Sequence, residues 1–280
     1  MNNESGRQGS GSITDWACDR TIEVAGIPFV STSMSESVRV IAETALASRG
    51  QIGASIRLAN AYCVALAKED AGYGDLLSKS GINFPDGSPV AAFMKVNSRE
   101  NADLAPERVR GPSFFRDLLS SGRDIGLRHM FVGADEETLR LLVQNAEALF
   151  PGVLIVESWS PPFGPLDEQF YDQARKRIKD SSPDIVWVGM GTPKQDFAST
   201  RIAQENNIFA IGVGAAFNFV AGTVNEAPKI VQTLCLEWLY RLICEPKRLW
   251  RRYVFGNVTF LKAAVRGTLS SSVQKTRGNM

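Results

Sequence analysis

From Thr21 to Val213 the chain repeatedly sets a short apolar run ahead of a longer segment whose apolar residues recur every three or four positions. That is the pattern of strands in a parallel sheet covered by helices. Four such units lie in the middle of the chain. Arg128 to Gly133 predicts a strand, and Asp135 to Phe150, with Leu139, Leu142, Val143 and Ala146 on one face, predicts the helix that follows, ended by Pro151-Gly152. Val153 to Glu157 is a second strand, leading through the loop Pro161-Pro162-Phe163-Gly164-Pro165 into a helix from Leu166 to Lys179. Asp184 to Met190 is a third, after which Pro193 suits the first turn of a helix running to Asn206. Ile208 to Val213 is the fourth. The N-terminal half is less regular: a hairpin over Thr21 to Val30 turning at Gly26, a helix from Ser35 to Ser48, a strand from Ile52 to Leu58, a helix from Asn60 to Asp70, and a short strand Ile82-Asn83-Phe84 closed by Pro85-Asp86-Gly87. The pattern predicts a Rossmann-like α/β core over residues 21–225, its mainly parallel sheet carrying helices on both faces. A C-terminal helical appendage would follow over 226–266, with residues 1–20 and 267–280 as disordered tails.

Composition narrows the class. A chain of 280 residues, 44% hydrophobic and 22% charged, can bury a full core. Its four cysteines are scattered, none in a Cys-x-x-Cys pair, and His129 is the single histidine, so neither a disulfide framework nor a zinc site is expected. Met1 to Ser12 is polar and lacks the apolar core of a signal peptide, which predicts a cytoplasmic protein. The longest apolar run, Ile208 to Val220, is interrupted by Asn218 and falls short of the roughly 20 residues a spanning helix needs. Any membrane contact would be at the surface.

The near-neutral total hides an asymmetry. From Lys229 onward there are 10 Lys and Arg against 2 Asp and Glu, so of the whole-chain 31 and 30 the remainder holds 21 against 28. The basic residues Arg241, Lys247, Arg248, Arg251 and Arg252 lie among Leu234, Trp238, Leu242, Leu249 and Trp250, interrupted by Pro246. Such a segment suits either a helical hairpin packed on the core or a surface-lying membrane contact whose arginines reach a diphosphate. Its apolar faces would equally serve self-association into a homo-oligomer. No groove-reading motif accompanies the basic residues, so nucleic acid is not an expected partner.

Ligands of open α/β sheets bind at the carboxyl ends of the strands, and several polar residues fall there. Asn60 follows the strand ending at Leu58, Asp86 follows Phe84, Gly191-Thr192-Pro193-Lys194-Gln195 follows Met190, and Gly214 to Asn218 follows Val213. Asp86, held between Pro85 and Gly87, is a candidate general base or a plain turn aspartate. Thr192 and Gln195 open a helix where a nucleotide phosphate or ribose could bind, or merely cap a turn. Arg108 could meet a phosphate. His129 lies in an apolar strand and is assigned no chemistry. Gly212-Val213-Gly214-Ala215-Ala216-Phe217 matches a dinucleotide fingerprint only in part, with Phe217 where the third glycine belongs and no acidic residue ending a strand about 20 residues on. No nicotinamide cofactor is expected.

Together these residues resemble the bacterial WecG/TagA/CpsF glycosyltransferases. The resemblance spans about Val24 to Tyr253 and rests on an ordered set: Asn60, Pro85-Asp86-Gly87, Glu107-Arg108 with Gly111, Phe131-Val132-Gly133, Gly191 to Asp196, Gly214-Ala215-Ala216-Phe217, Ala221-Gly222, Ala227-Pro228, Glu237 to Arg241, and Glu245 to Leu249. It implies transfer of a sugar from a UDP-sugar to a polyprenyl-diphosphate-linked sugar at the inner face of the cytoplasmic membrane, with inversion and without a required metal or other cofactor. It implies Asp86 as the base, Arg241, Arg248 and Arg251 as cations for the departing UDP or the acceptor diphosphate, and Asn60, Arg108, Gly191, Thr192, Gln195 and Gly214 around sugar and nucleotide. The chain also lacks an Asp-x-Asp near these positions to hold magnesium. Closure of the C-terminal helices over the pocket at the membrane would limit hydrolysis. Leu58, Asn218 and Glu226 depart from the family pattern and leave the donor open among N-acetylmannosamine, its uronic acid and glucose, with a lean to an exopolysaccharide hexose. The rival reading is a non-catalytic, membrane-associated nucleotide-binding scaffold.

Overall fold

The computed structural model describes residues 13–99, 104–234 and 236–278, without the side chains at 248, 251–255 and 269–278. A short helix α1 (Ile13–Cys18) leads into an antiparallel hairpin, β1 (Thr21–Val24) and β2 (Ile27–Val30). Ala25 and Gly26 turn the chain with φ of 54° and 74°, the left-handed pair that a two-residue hairpin turn requires. After α2 (Met34–Ala47) come β3 (Ala54–Ala59), α3 (Ala61–Glu69), α4 (Ala71–Lys79), β4 (Ile82–Pro85), α5 (Ser88–Asn97) and α6 (Gly111–Asp124). Three regular units follow: β5 (Arg128–Gly133) with α7 (Glu136–Leu149), β6 (Leu154–Trp159) with α8 (Glu168–Ser181), and β7 (Ile185–Gly189) with α9 (Lys194–Asn206). The chain ends through β8 (Phe209–Gly212), α10 (Ala216–Ala221), α11 (Lys229–Thr233), α12 (Glu237–Cys244) and α13 (Pro246–Gly278).

Six strands form one sheet in the order β4-β3-β8-β7-β5-β6, every neighbouring pair parallel. Side chains alternate across a strand, and here both sides are apolar. Phe131 and Trp187 enter a core under α2, α6, α7 and α10, whereas Met130, Val132, Val186 and Val188 enter another under α8 and α9. A third cluster joins the hairpin to α3, α4, α5 and α13. The mainly parallel α/β sheet read from the sequence is therefore the observed one.

Two boundaries differ from the sequence reading. The expected N-terminal tail includes α1, whose Ile13 and Ala17, one helical turn apart, are buried in the main core; residues 1–12 of that tail lie outside the described residues. At the other end the helix does not stop near Arg266. α13 continues to Gly278, and Oγ1 of Thr268 donates to Oδ1 of Asn97 at 2.9 Å. Phe260 and Ala264 of α13 are buried against the cluster containing α3, so the C-terminal segment completes the core and could not be deleted from Pro228 without stripping it. Among the described residues no helix is long and apolar enough to cross a membrane.

Candidate active site

The carboxyl ends of β3, β4, β7 and β8 open into one cavity of about 500 Å³. That is within the range of small-molecule sites. Of the residues singled out in the sequence, Asn60, Asp86, Arg108, Gly191, Thr192, Gln195, Gly214 and Arg241 all line it. The side chains of Arg248 and Arg251 lie outside the described residues, although both positions fall on α13.

Asp86 is fixed by the sheet itself. Its N–H donates to the carbonyl of Ala59 at 3.0 Å, extending the β3–β4 ladder by one residue, and the carbonyl of Pro85 accepts from the N–H of Val109 at 2.9 Å. The N–H of Gly111, first residue of α6, donates to Oδ1 of Asp86 at 2.8 Å. Burial raises the Asp86 carboxyl to about 6, opposed by the Gly111 bond and by the Arg108 and Arg110 charges, and assisted by Glu237. A carboxylate with that proton affinity at the edge of a cavity can accept a proton near neutral pH.

Asn60 caps α3: its Oδ1 accepts from the N–H of Tyr62 at 3.0 Å and of Cys63 at 3.4 Å. On the opposite wall Gln195 is buried, with Oε1 accepting from the N–H of Gly191 at 3.0 Å. Gly212 and Gly214 pass directly over this side chain, a Cβ on Gly212 falling 3.2 Å from Nε2 of Gln195. Behind it Asp196 is buried and accepts from the Tyr73 hydroxyl at 2.7 Å.

The C-terminal segment supplies the roof. Arg241 and Trp238 of α12 line the cavity, and the Arg241 guanidinium lies 5.9 Å from the Phe219 ring centroid. Its Nε is buried without a hydrogen-bond partner among the described residues. Glu237, one turn earlier, binds Arg108 and Arg110, and Glu226 binds Arg110 and Arg116. The sequence reading passed over Arg110 and over any pairing of Glu237; the available signal was the alternation of arginines at 108 and 110 around the apolar Val109. Glu226, noted there as a departure from the family pattern, proves to be a partner for two arginines. Asn218 donates to Oγ1 of Thr223 at 3.1 Å in the turn that ends α10.

His129 takes no part. It is buried with Nδ1 accepting from Nε1 of Trp187 at 3.1 Å, and burial holds its imidazole neutral, down at about 3. Phe217, at the odd position of the partial glycine fingerprint, fills the core beside Phe115 and Phe131. The described residues contain no group of three or more His, Cys, Asp or Glu that could hold a metal ion.

The family model described as Glycosyl transferase WecG/TagA/CpsF family matches residues 22–274. The chain belongs to this family. Curated relatives agree along most of their length. A Bacillus subtilis (strain 168) protein is 27% identical over 239 residues, covering 83% of this chain and 87% of its own, and a Bacillus spizizenii protein is 28% identical over 239 residues, covering 83% and 86%. A Staphylococcus aureus (strain NCTC 8325) protein is 27% identical over 231 residues, covering 82% and 87%. Each is named an N-acetylglucosaminyldiphosphoundecaprenol N-acetyl-beta-D-mannosaminyltransferase. The chain is thus a WecG/TagA/CpsF glycosyltransferase, and the cavity at the carboxyl edge of its sheet gathers the Asp86 carboxylate with the side chains of Arg108, Arg110 and Arg241.

Proposed function

We propose that this glycosyltransferase moves a hexose or N-acetylhexosamine from a UDP-sugar onto a sugar carried on a polyprenyl diphosphate, with inversion at the anomeric carbon. The observation that carries the proposal is Asp86: a carboxylate held at 2.8 Å by the Gly111 N–H, with its proton affinity raised to about 6, in a cavity shared with Arg108 and Arg241. Asp86 takes the proton of the acceptor hydroxyl as that oxygen forms its bond to the anomeric carbon. The bond from that carbon to the diphosphate oxygen breaks, and UDP leaves with the electron pair. Asp86 ends protonated, and the single displacement inverts the centre.

Charge accumulating on the leaving diphosphate is met by Arg241, with Arg248 and Arg251, rather than by a metal ion. Asn60, Arg108, Gly191, Thr192, Gln195 and Gly214 surround the sugar and nucleotide. The acceptor is suggested by the relatives' names, which specify a diphosphoundecaprenol-linked N-acetylglucosamine. A lipid-borne acceptor is reached from the membrane surface: Ile230, Leu234, Trp238, Ile243 and Trp250 stand exposed on the basic C-terminal segment, which would rest on the inner face of the cytoplasmic membrane. Exopolysaccharide or other cell-surface glycan assembly is the process such a reaction serves.

The test is UDP release from a panel of UDP-sugars with a polyprenyl-diphosphate-sugar acceptor in detergent, for native protein and Asp86→Asn. Acceptor-dependent release from one donor, lost in the variant, is the expected result. No release from any donor on any such acceptor would overturn the proposal in favour of a non-catalytic scaffold.

A further inference from the structure

The two arginines nearest the candidate base are engaged by a residue from far along the chain. Residues before α6 run extended beside β4, with the Val109 N–H bonded to Pro85 and its side chain buried. Alternation then puts Arg108 and Arg110 on the other side together. Glu237, first residue of α12, spans them: Nη2 of Arg108 donates to Oε1 at 2.6 Å and Nε of Arg110 donates to Oε2 at 2.9 Å. The Glu237 side chain is only 17% exposed, so this is a shielded bridge and not a loose surface pair.

We infer that Glu237 is a positioning residue for the transfer reaction: its bridge holds both guanidiniums at the cavity and cancels much of the charge they would otherwise project onto the Asp86 carboxylate. The inference rests on the glycosyl-transfer reading above. A carboxylate near an uncompensated arginine is a poor base, its pKa depressed by about 1–3 units. Among the described residues the charges around Asp86 are Arg108 and Arg110 from the segment before α6, and Glu237 and Arg241 from α12. Glu226 and Arg116 stand behind Arg110, and the neutral Asn60 and Gln195 complete the wall. Glu237 is the acidic member that touches both flanking arginines. Since it arrives on α12 beside Arg241, seating that helix brings the phosphate-facing cation and the neutralising carboxylate to the cavity in one step.

The experiment uses the full chain as native protein, Glu237→Gln and Glu237→Asp, each with ¹³C-labelled aspartate. The Asp86 carboxyl is identified by its absence in Asp86→Asn, and its titration is followed by NMR alongside the pH profile of kcat. Glu237→Gln keeps the shape and removes the charge. Its Asp86 midpoint should fall by about one pH unit, with the acidic limb of kcat moving equally, kcat at neutral pH dropping about three- to tenfold, and the donor KM changing less. Glu237→Asp should restore most of the midpoint. A midpoint that stays put while activity falls equally at every pH would make Glu237 a mere clasp and overturn the inference. Failure of the native protein to transfer any sugar would sink the proposed reaction instead, while the NMR midpoint would still decide whether Glu237 governs the charge at Asp86.

Discussion

The N–H of Gly111 donates to Oδ1 of Asp86 at 2.8 Å, joining the candidate base to the start of a 14-residue helix. Even with that donor and two nearby arginines, burial keeps the carboxyl raised from 3.8 to about 6. With its folded pKa above its unfolded one, Asp86 is tolerated at low pH and costs stability as pH rises through about 6. Asp86→Asn should therefore be more stable than native protein at pH 8, by up to about 3 kcal/mol, and unfold at a higher temperature, with the gap closing toward pH 4. Thermal unfolding of both proteins across that range checks it. The acidic limb of native activity should fall near pH 6 for the same reason.

Tyr73 and Asp196 make a second buried pair, the hydroxyl donating to Oδ2 at 2.7 Å. Burial raises both groups, so the tyrosine stays a neutral donor. Arg57 lies within electrostatic reach of Asp196 and donates to Oδ1 of Asn83 at 2.8 Å, Oγ1 of Thr200 at 3.2 Å and the carbonyl of Ser80. Tyr73→Phe strips a donor from a buried carboxylate and should cost about 1–3 kcal/mol. Arg57→Met leaves the oxygens of Asn83, Thr200 and Ser80 without their buried donor as well as removing the cation near Asp196, and should cost more, about 3–5 kcal/mol. Urea unfolding ranks the two. Equal, negligible losses would mean that the site reorganises around Asp196.

At the end of β7 there is no room for a side chain. A Cβ on Gly189 would fall 2.4 Å from Cδ2 of Phe217, which is fully buried with ring centroids 5.6 Å from Phe115 and 5.5 Å from Phe131. Gly189→Ala must push this ring into a filled aromatic cluster, at a cost of about 1–3 kcal/mol. Trimming the obstacle with Phe217→Leu in the same chain should recover part of that loss, a non-additivity that denaturant titration of the two single variants and the double would reveal.

The same residue explains what could be read from the sequence and what could not. Phe217 fails as the third glycine of a dinucleotide turn because it belongs to the core, a role already implied by its apolar surroundings. Strands such as Ile185–Gly189 were legible because both faces are buried and the run is continuously apolar. Helices α4, α5 and α6 escaped notice: α4 carries Gly72 and Gly74, α5 opens on Ser88-Pro89 directly after the Pro85-Asp86-Gly87 turn, and α6 carries Gly111, Ser120, Ser121 and Gly122 among its buried phenylalanines and leucines. Asn60, Asp86, Gly191 to Gln195 and Gly214 followed from strand ends, since each sits just past an apolar run, whereas Arg108 and Arg241 lie off the strand ends. Its ion pairs did not. Glu237 and Arg108 are 129 positions apart, and no local pattern records which distant carboxylate will neutralise which arginine.

Arg241 offers the sharpest test of how the leaving group is met. Its Nε is buried without a hydrogen-bond partner among the described residues, and its guanidinium sits 5.9 Å from the Phe219 ring centroid in the wall of the cavity. Leaving a donor unsatisfied costs stability, and such a donor is worth keeping where an anion arrives to use it. Arg241→Gln should therefore lower kcat about 100-fold, the scale for losing one donor to developing negative charge. UDP affinity should weaken in calorimetry, while the unfolding midpoint stays close to native. Arg241→Lys should recover only part, since a point charge cannot reproduce the planar fork that grips a diphosphate. If Arg241→Gln keeps kcat within about twofold of native, the transition-state role passes to Arg248 and Arg251.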